Sequence, residues 1–269
     1  MSQQHIKHPY AVHTIKYGPS DSHVGDLYLP NVGRPPVVCL LHGGFWRMPY
    51  GREEFNPVAR DLASRNFAVW NLEYRRLGES GGGWPETFHD VAAGIDHLAS
   101  LAVEGIELDL GRVVAVGHSA GGHLALWSSA RNHRQTPLRT PVRIRPAGAV
   151  GLAAVVDLAR TFSLGSGDSA VRAFLDGSPS QQSVRYAAAS PVALLPLGVN
   201  QLIVHGEMDA TLPVEIAREY VQAARAAGDN VQFAELPRAG HMDFLDPASD
   251  AHATLCAWLE QFFNHGTGA

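Results

Sequence analysis

Apolar positions recur along the chain in two alternating rhythms. Compact apolar runs stand at 10–18 (YAVHTIKYG), 24–30 (VGDLYLP), 36–42 (PVVCLLH), 67–75 (FAVWNLEYR), 112–118 (RVVAVGH), 147–156 (AGAVGLAAVV), 201–206 (QLIVHG) and 231–237 (VQFAELP). Their length and their content of β-branched residues predict strands. Between them the spacing changes. Phe55, Val58, Ala59, Leu62 and Ala63 fall at i, i+3, i+4, i+7 and i+8, as do Leu255, Trp258, Leu259, Phe262 and Phe263. Phe88, Val91, Ala92, Ile95 and Ala99 follow nearly the same rule. That spacing places one apolar stripe along a helix. Strands alternating with helices predict an α/β protein with a mostly parallel eight-stranded sheet and helices on both faces. The first two strands have only the turn-like GPSDSH (18–23) between them, so they are expected to form an antiparallel hairpin.

One stretch breaks the alternation. Residues 157–196 carry short helical pieces separated by Gly, Ser and Pro, and the span is too long for a simple connection. It is expected to be a small lid insertion within a single domain covering 1–269, rather than one helix with ornate loops.

Composition narrows the setting. A chain of 269 residues, 45% hydrophobic, can bury a large core. The net charge of -5 and the lack of a basic tract argue against nucleic acid or an anionic membrane as partner. The N-terminal MSQQHIKHPY has no apolar core of a signal peptide, and no apolar run is long enough to cross a bilayer. A soluble cytoplasmic protein is expected, with the oligomeric state, monomer or homodimer, left open. Two cysteines cannot build a disulfide framework, and Cys39 and Cys256 both read as buried packing residues. The 14 histidines show no HExxH, and His118 and His123 are five apart, so neither a metal nor any other cofactor is expected.

The strongest chemical signal is VVAVGHSAGGHLALW (113–127). It places Gly117-His118-Ser119-Ala120-Gly121 between an apolar strand and an apolar helix, which is the G-x-S-x-G nucleophile elbow. So sharp a turn leaves little room for side chains two residues either side of the serine. It sets Ser119 at a helix N-terminus, where developing negative charge is favoured. A serine nucleophile needs a base, and the base an orienting acid. His241 lies just past the last expected strand, in ELPRAGHMDFLDP, and is the candidate base. Asp209 follows the strand QLIVHG and is the preferred acid. Asp157 at the end of the sixth strand is the alternative, and Glu207 could face the same way. Asp243 and Asp246 read as residues that shape the turn into the last helix.

The loop HGGFW (42–46) follows the third strand. Attack on a carbonyl creates an oxyanion that needs preorganised N–H donors. The Ala120 amide is one expected donor. Gly44, then Gly43 and Phe45, are the candidates for the others, because glycine lets the backbone approach a substrate. Phe45, Trp46 and Trp84 are candidate walls of a substrate pocket.

Together these motifs resemble the α/β-hydrolase family across essentially the whole chain. His42-Gly43-Gly44 with Gly-His-Ser-Ala-Gly-Gly looks like the hormone-sensitive-lipase-like carboxylesterases. Trp46, completing H-G-G-x-W, is similar to kynurenine formamidases. HGEMD and AGHMDFLDP also resemble the acid and base loops of prolyl-oligopeptidase-like peptidases, though the chain is too short for a propeller domain. The resemblance implies an α/β-hydrolase fold and a cofactor-free serine hydrolase acting on a small-molecule ester through an acyl-enzyme. An N-formyl aryl amide is the second substrate class, a peptide the third. An inactive hydrolase-fold binding protein is the contrary reading, and the complete Ser, Asp and His set argues against it.

Overall fold

The computed structural model describes residues 9–131, 138, 140–164 and 168–265. The hairpin at the start of the chain is present: β1 (Tyr10–Lys16) runs antiparallel to β2 (Val24–Pro30). Then come β3 (Pro36–Leu41), α1 (Asn56–Ser64), β4 (Ala68–Leu72), α2 (Glu86–Val103), β5 (Asp109–His118) and α3 (Ala120–Ser129). After β6 (Gly148–Leu152) lie α4 (Leu158–Ser163), α5 (Asp168–Leu175) and α6 (Ser183–Ala189). The chain ends with β7 (Asn200–Gly206), α7 (Val214–Ala226), β8 (Val231–Leu236) and α8 (Asp250–His265). All eight strands form one sheet in the order β1-β2-β4-β3-β5-β6-β7-β8. From β4 to β8 every neighbouring pair is parallel, while β2 meets β4 antiparallel. This is the α/β-hydrolase architecture that the motifs imply.

The run Val37-Val38-Cys39-Leu40-Leu41 shows why the central strands lack polar alternation. Val37, Cys39 and Leu41 join one core with Phe88, Ile95 and Leu124 of α2 and α3. Val38 and Leu40 join the other with Val58, Leu62, Leu255 and Leu259 of α1 and α8. Both faces are covered, so every position is apolar. Truncating one such Leu to Ala typically costs about 2–5 kcal/mol.

Two strands end three or more residues earlier than expected. The sixth was expected over 147–156 but stops at Leu152. Ala153 turns the chain with φ 45°, its amide donates to Val204 O, and the Val155 amide donates to Ser119 O. The apolar residues after Leu152 are therefore loop, drawn in over the turn at Ser119. The fourth, expected over 67–75, ends at Leu72. Glu73 still donates its amide to Val24 O at 2.9 Å, and its side chain turns into the interior.

The 157–196 excursion holds α4, α5, α6 and a 3-10 turn, Pro191–Leu194. Residues 165–167 of that stretch lie outside the described residues. No helix among the described residues is long and apolar enough to cross a membrane.

Candidate active site

The turn between β5 and α3 is as tight as its glycines require. Ser119 sits at φ 54°, ψ -117°, a left-handed conformation that side chains rarely adopt. A Cβ at position 117 would stand 2.1 Å from Gly121 O, and one at 121 would stand 1.9 Å from Leu41 O. Ser119 is held by its own amide donating to Leu152 O at 2.9 Å and by its carbonyl accepting from His123 N and Val155 N. The strain is thus fixed by backbone bonds on three sides.

His241 and Asp209 come from the loops after β8 and β7. His241 Nδ1–H donates to Asp209 Oδ2 at 2.7 Å. Asp209 Oδ1 accepts from the Thr211 and Leu212 amides, both at 2.8 Å. Burial pushes the Asp209 carboxyl up. The neighbouring His205 ring and hydrogen bonds from His241 and the Leu212 amide more than reverse this and hold it well below the usual carboxylate range. The two loops are also joined by the backbone, since Met208 N donates to Ala239 O at 3.1 Å.

The other acids are engaged elsewhere. Asp157 caps α4 by accepting from Arg160 N, and Glu207 lies with Glu235 and Arg218. Asp243 accepts from Gly240 N beside His241, and Asp246 accepts from Ala248 N in the turn into α8.

Two histidines that the motifs leave without a role support this arrangement. His118 Nε2–H donates to His241 O at 2.8 Å, and the two rings lie 4.8 Å apart. Burial pushes the His118 pKa down to about 3, so it is a neutral prop under His241. His205 Nε2–H donates to Leu212 O at 2.8 Å and stands 3.4 Å from Asp209 Oδ2. The His118 contact joins parts of the chain 123 residues apart, and the His205 contact ties the end of β7 to the loop that follows it.

The glycine loop after β3 is fitted against the elbow. A Cβ on Gly43 would lie 3.1 Å from His118 O, and one on Gly44, at φ 91°, would lie 2.1 Å from the Tyr50 Cβ. Phe45 and Trp46 both have φ 55°. The loop is pinned by Arg47 N donating to Gly44 O, Leu77 N to Trp46 O and Met48 N to Leu77 O.

A cavity of about 260 Å³ opens at Ser119. Phe45, Trp46, Ala120, Val171 and Leu212 are among its walls, so it is mainly apolar and draws on the glycine loop, the elbow, α5 and the loop after β7. Trp46 forms a wall while only 1% exposed. Behind, it stacks on Phe174 at 4.5 Å, and its indole N–H donates to His123 Nδ1 at 3.2 Å. His123 in turn donates from Nε2 to Ala189 O at 2.9 Å. Trp84 stands outside this lining. It packs edge-on against Phe88 at 5.5 Å with the Arg185 guanidinium 5.9 Å from its ring centroid. Its separation from Trp46 in space is not visible in the spacing of either residue.

Cys39 and Cys256 are both buried, as expected. Cys256 has a polar setting as well. With Asp61 and His252 it forms a group of ligand-type side chains between α1 and α8, His252 Nε2–H donating to Asp61 Oδ2 at 2.7 Å. Arg65 donates to that same carboxylate oxygen at 2.7 Å.

Comparison with known proteins agrees with the geometry. The BD-FAE family model matches residues 25–223. Esterase LipC of Mycobacterium tuberculosis is 28% identical over 242 residues, covering 84% of this chain and 58% of its own. The probable carboxylic ester hydrolase LipM of the same organism is 27% identical, covering 86% and 54%. The chain therefore spans a little over half the length of these curated relatives. Among solved structures, a truncated carbohydrate esterase from gut microbiota superposes with TM-score 0.81 at 19% identity, over 95% of this chain and 97% of that one. An esterase of Thermogutta terrifontis superposes with TM-score 0.76 at 22% identity, over 95% and 94%. The structures share the fold. The family match covers most of the chain, and with the α/β-hydrolase fold in place the chain belongs to the BD-FAE family.

Proposed function

We propose that this chain is a serine carboxylesterase that cleaves small carboxylic esters through an acyl-enzyme. The observation that carries the reading is the His241–Asp209 hydrogen bond of 2.7 Å, set at the same sheet edge as a Ser119 held in a strained turn over an apolar cavity. With Nδ1 committed to Asp209, Nε2 of His241 takes the proton of Ser119 Oγ as Oγ bonds to the acyl carbon. The carbonyl electron pair moves onto oxygen, and the amides of Ala120, Gly44, Gly43 and Phe45 receive that oxyanion. Collapse expels the alcohol, which takes its proton from His241 Nε2. Water then repeats the sequence, its proton passing to His241, and releases the acid. Asp209 stays ionised throughout, consistent with its lowered pKa, and stabilises the imidazolium.

The 157–196 excursion acts as the lid of this site, since Thr161, Ala170 and Val171 form part of the cavity wall. LipC and LipM are described as ester hydrolases, which favours an ester over an amide. Trp46 in the cavity wall keeps an N-formyl aryl amide as the second candidate. Parallel assays on short-chain p-nitrophenyl esters, aryl acetates and N-formylkynurenine decide between them. Ester turnover is expected to dominate, and formamide turnover with negligible ester turnover would reverse the order.

A further inference from the structure

The glycine loop is gripped from below by a buried carboxylate. Glu73 is 3% exposed, one residue past β4, and touches both ends of the segment from His42 to Arg52 that contains the loop. At the start, fully buried His42 donates from Nε2 to Glu73 Oε1 at 2.7 Å. The His42 ring lies flat on Tyr74, with centroids 4.3 Å apart, and the Tyr74 hydroxyl donates to His42 O at 2.7 Å. At the far end, Arg52 N donates to Glu73 Oε2 at 3.0 Å. Arg76, 3.3 Å from the same oxygen, also donates to the carbonyl of Tyr50, whose side chain fills the space beside Gly44.

The charges around Glu73 are matched. Arg52 is paired with Asp26 and Arg76 with Glu79, each at 2.8 Å. Burial raises the Glu73 carboxyl, but the His42 hydrogen bond, the Arg76 guanidinium and the Arg52 amide bring it below its usual value, so it is ionised. A buried ionic group is weak evidence for stability, because desolvation offsets the attraction. What these bonds do is fix one backbone conformation, in a loop whose amides are useful only in one orientation.

We propose that Glu73 is a positioning residue for the oxyanion loop, acting through His42 at one end and through the Arg52 amide and Arg76 at the other. The proposal rests on the serine-hydrolase reading. The test measures kcat and KM for p-nitrophenyl acetate, and the inhibition constant of an aryl trifluoromethyl ketone whose serine adduct carries an oxyanion. It uses wild type, Ser119→Ala, Glu73→Ala, Glu73→Gln, His42→Ala and the Glu73→Ala/His42→Ala double variant, each with its melting curve.

A misplaced donor acts on the transition state. Glu73→Ala should therefore lower kcat roughly tenfold to hundredfold, weaken the ketone by a similar factor, and leave KM within about threefold. The double variant should lose no more than the worse single, because both residues act on one loop. Folded Glu73→Ala with wild-type kcat and ketone affinity, or a change confined to KM, overturns the proposal. If Glu73→Ala does not fold, Glu73→Gln keeps the volume without the charge, and the same two outcomes apply to it. An active, Ser119-dependent wild type with unaffected Glu73 variants sinks the positioning role alone. A wild type without Ser119-dependent turnover sinks the hydrolase reading, and the positioning role with it.

Discussion

Replacing Asp209 by Asn tests the acid at the level of single lone pairs. The carboxylate accepts three hydrogen bonds: Thr211 N and Leu212 N on Oδ1, and His241 Nδ1–H on Oδ2. Asparagine has one oxygen. If that oxygen stays with the two amides, the new NH2 faces His241 and makes Nδ1 an acceptor. The ring proton then sits on Nε2, where it cannot accept a proton from Ser119. If the amide flips, the correct tautomer returns, but NH2 confronts two backbone N–H groups in a site only 8% exposed. Leaving a buried donor unpaired costs about 1–3 kcal/mol, so the flip costs about 2–6 kcal/mol for the two. At about 1.4 kcal/mol per factor of ten, the competent tautomer falls to between roughly one in thirty and one in twenty thousand. The kcat of Asp209→Asn on p-nitrophenyl acetate should therefore fall by about one and a half to four orders of magnitude. The melting temperature should change little, because both amides keep their acceptor. Asp157→Asn, which keeps the helix cap and loses only the charge, should keep most of its activity. A folded Asp209→Asn within a few-fold of wild-type kcat refutes this reasoning, as does Asp157→Asn losing as much.

Other perturbations separate the remaining parts. Gly44→Val places a side chain at φ 91° into the Tyr50 ring and should cut kcat about a hundredfold with KM little changed; undiminished kcat in a folded variant would make the loop a mere turn. Trp46→Ala removes a cavity wall, a stacking partner and a hydrogen bond, so stability should fall by about 3–5 kcal/mol and preference between acetyl and longer esters should change. Unchanged preference would confine Trp46 to packing. His118 and His123 are buried neutral, with burial lowering their pKa values from 6.5 to about 3 and about 4. An unfolded chain takes up those protons first, so their stabilising effect is complete above about pH 6.5 and is lost as pH falls toward 3. Each contributes a slope of up to about 1.4 kcal/mol per pH unit. Denaturant melts across pH 7 to 4 should show this loss, and stability flat over that range would contradict it.

How much the sequence discloses depends on whether a feature is local. The β3 run and the stripe of α1 are local patterns, and both elements form where the spacing puts them. The Gly117-to-Gly121 turn is local too, and its tightness follows from its glycines. The end of β6 was not legible, because Ala153 breaks an apolar run by a backbone bond to Val204 on a neighbouring strand. Glu73 and Arg76 sit in LEYRR, at and just past the end of the run read as the fourth strand, where no spacing marks either as buried, yet both are. Their partners His42, Arg52 and Tyr50 are far off in sequence. His118 and His205 support the acid and base loops through bonds that only the fold creates. His252 and Cys256 stand four apart on α8, a spacing visible in the sequence, but Asp61 joins them from 191 residues away.

The central claim is that Ser119 is the nucleophile, and active-site labelling tests it most directly. Wild-type protein treated with a fluorophosphonate and digested for mass spectrometry should carry the label on the peptide containing Ser119, with hydrolysis lost in step. Ser119→Ala should fold normally, take up no label and show almost no turnover. Label on another residue, or wild-type turnover in folded Ser119→Ala, would contradict the account.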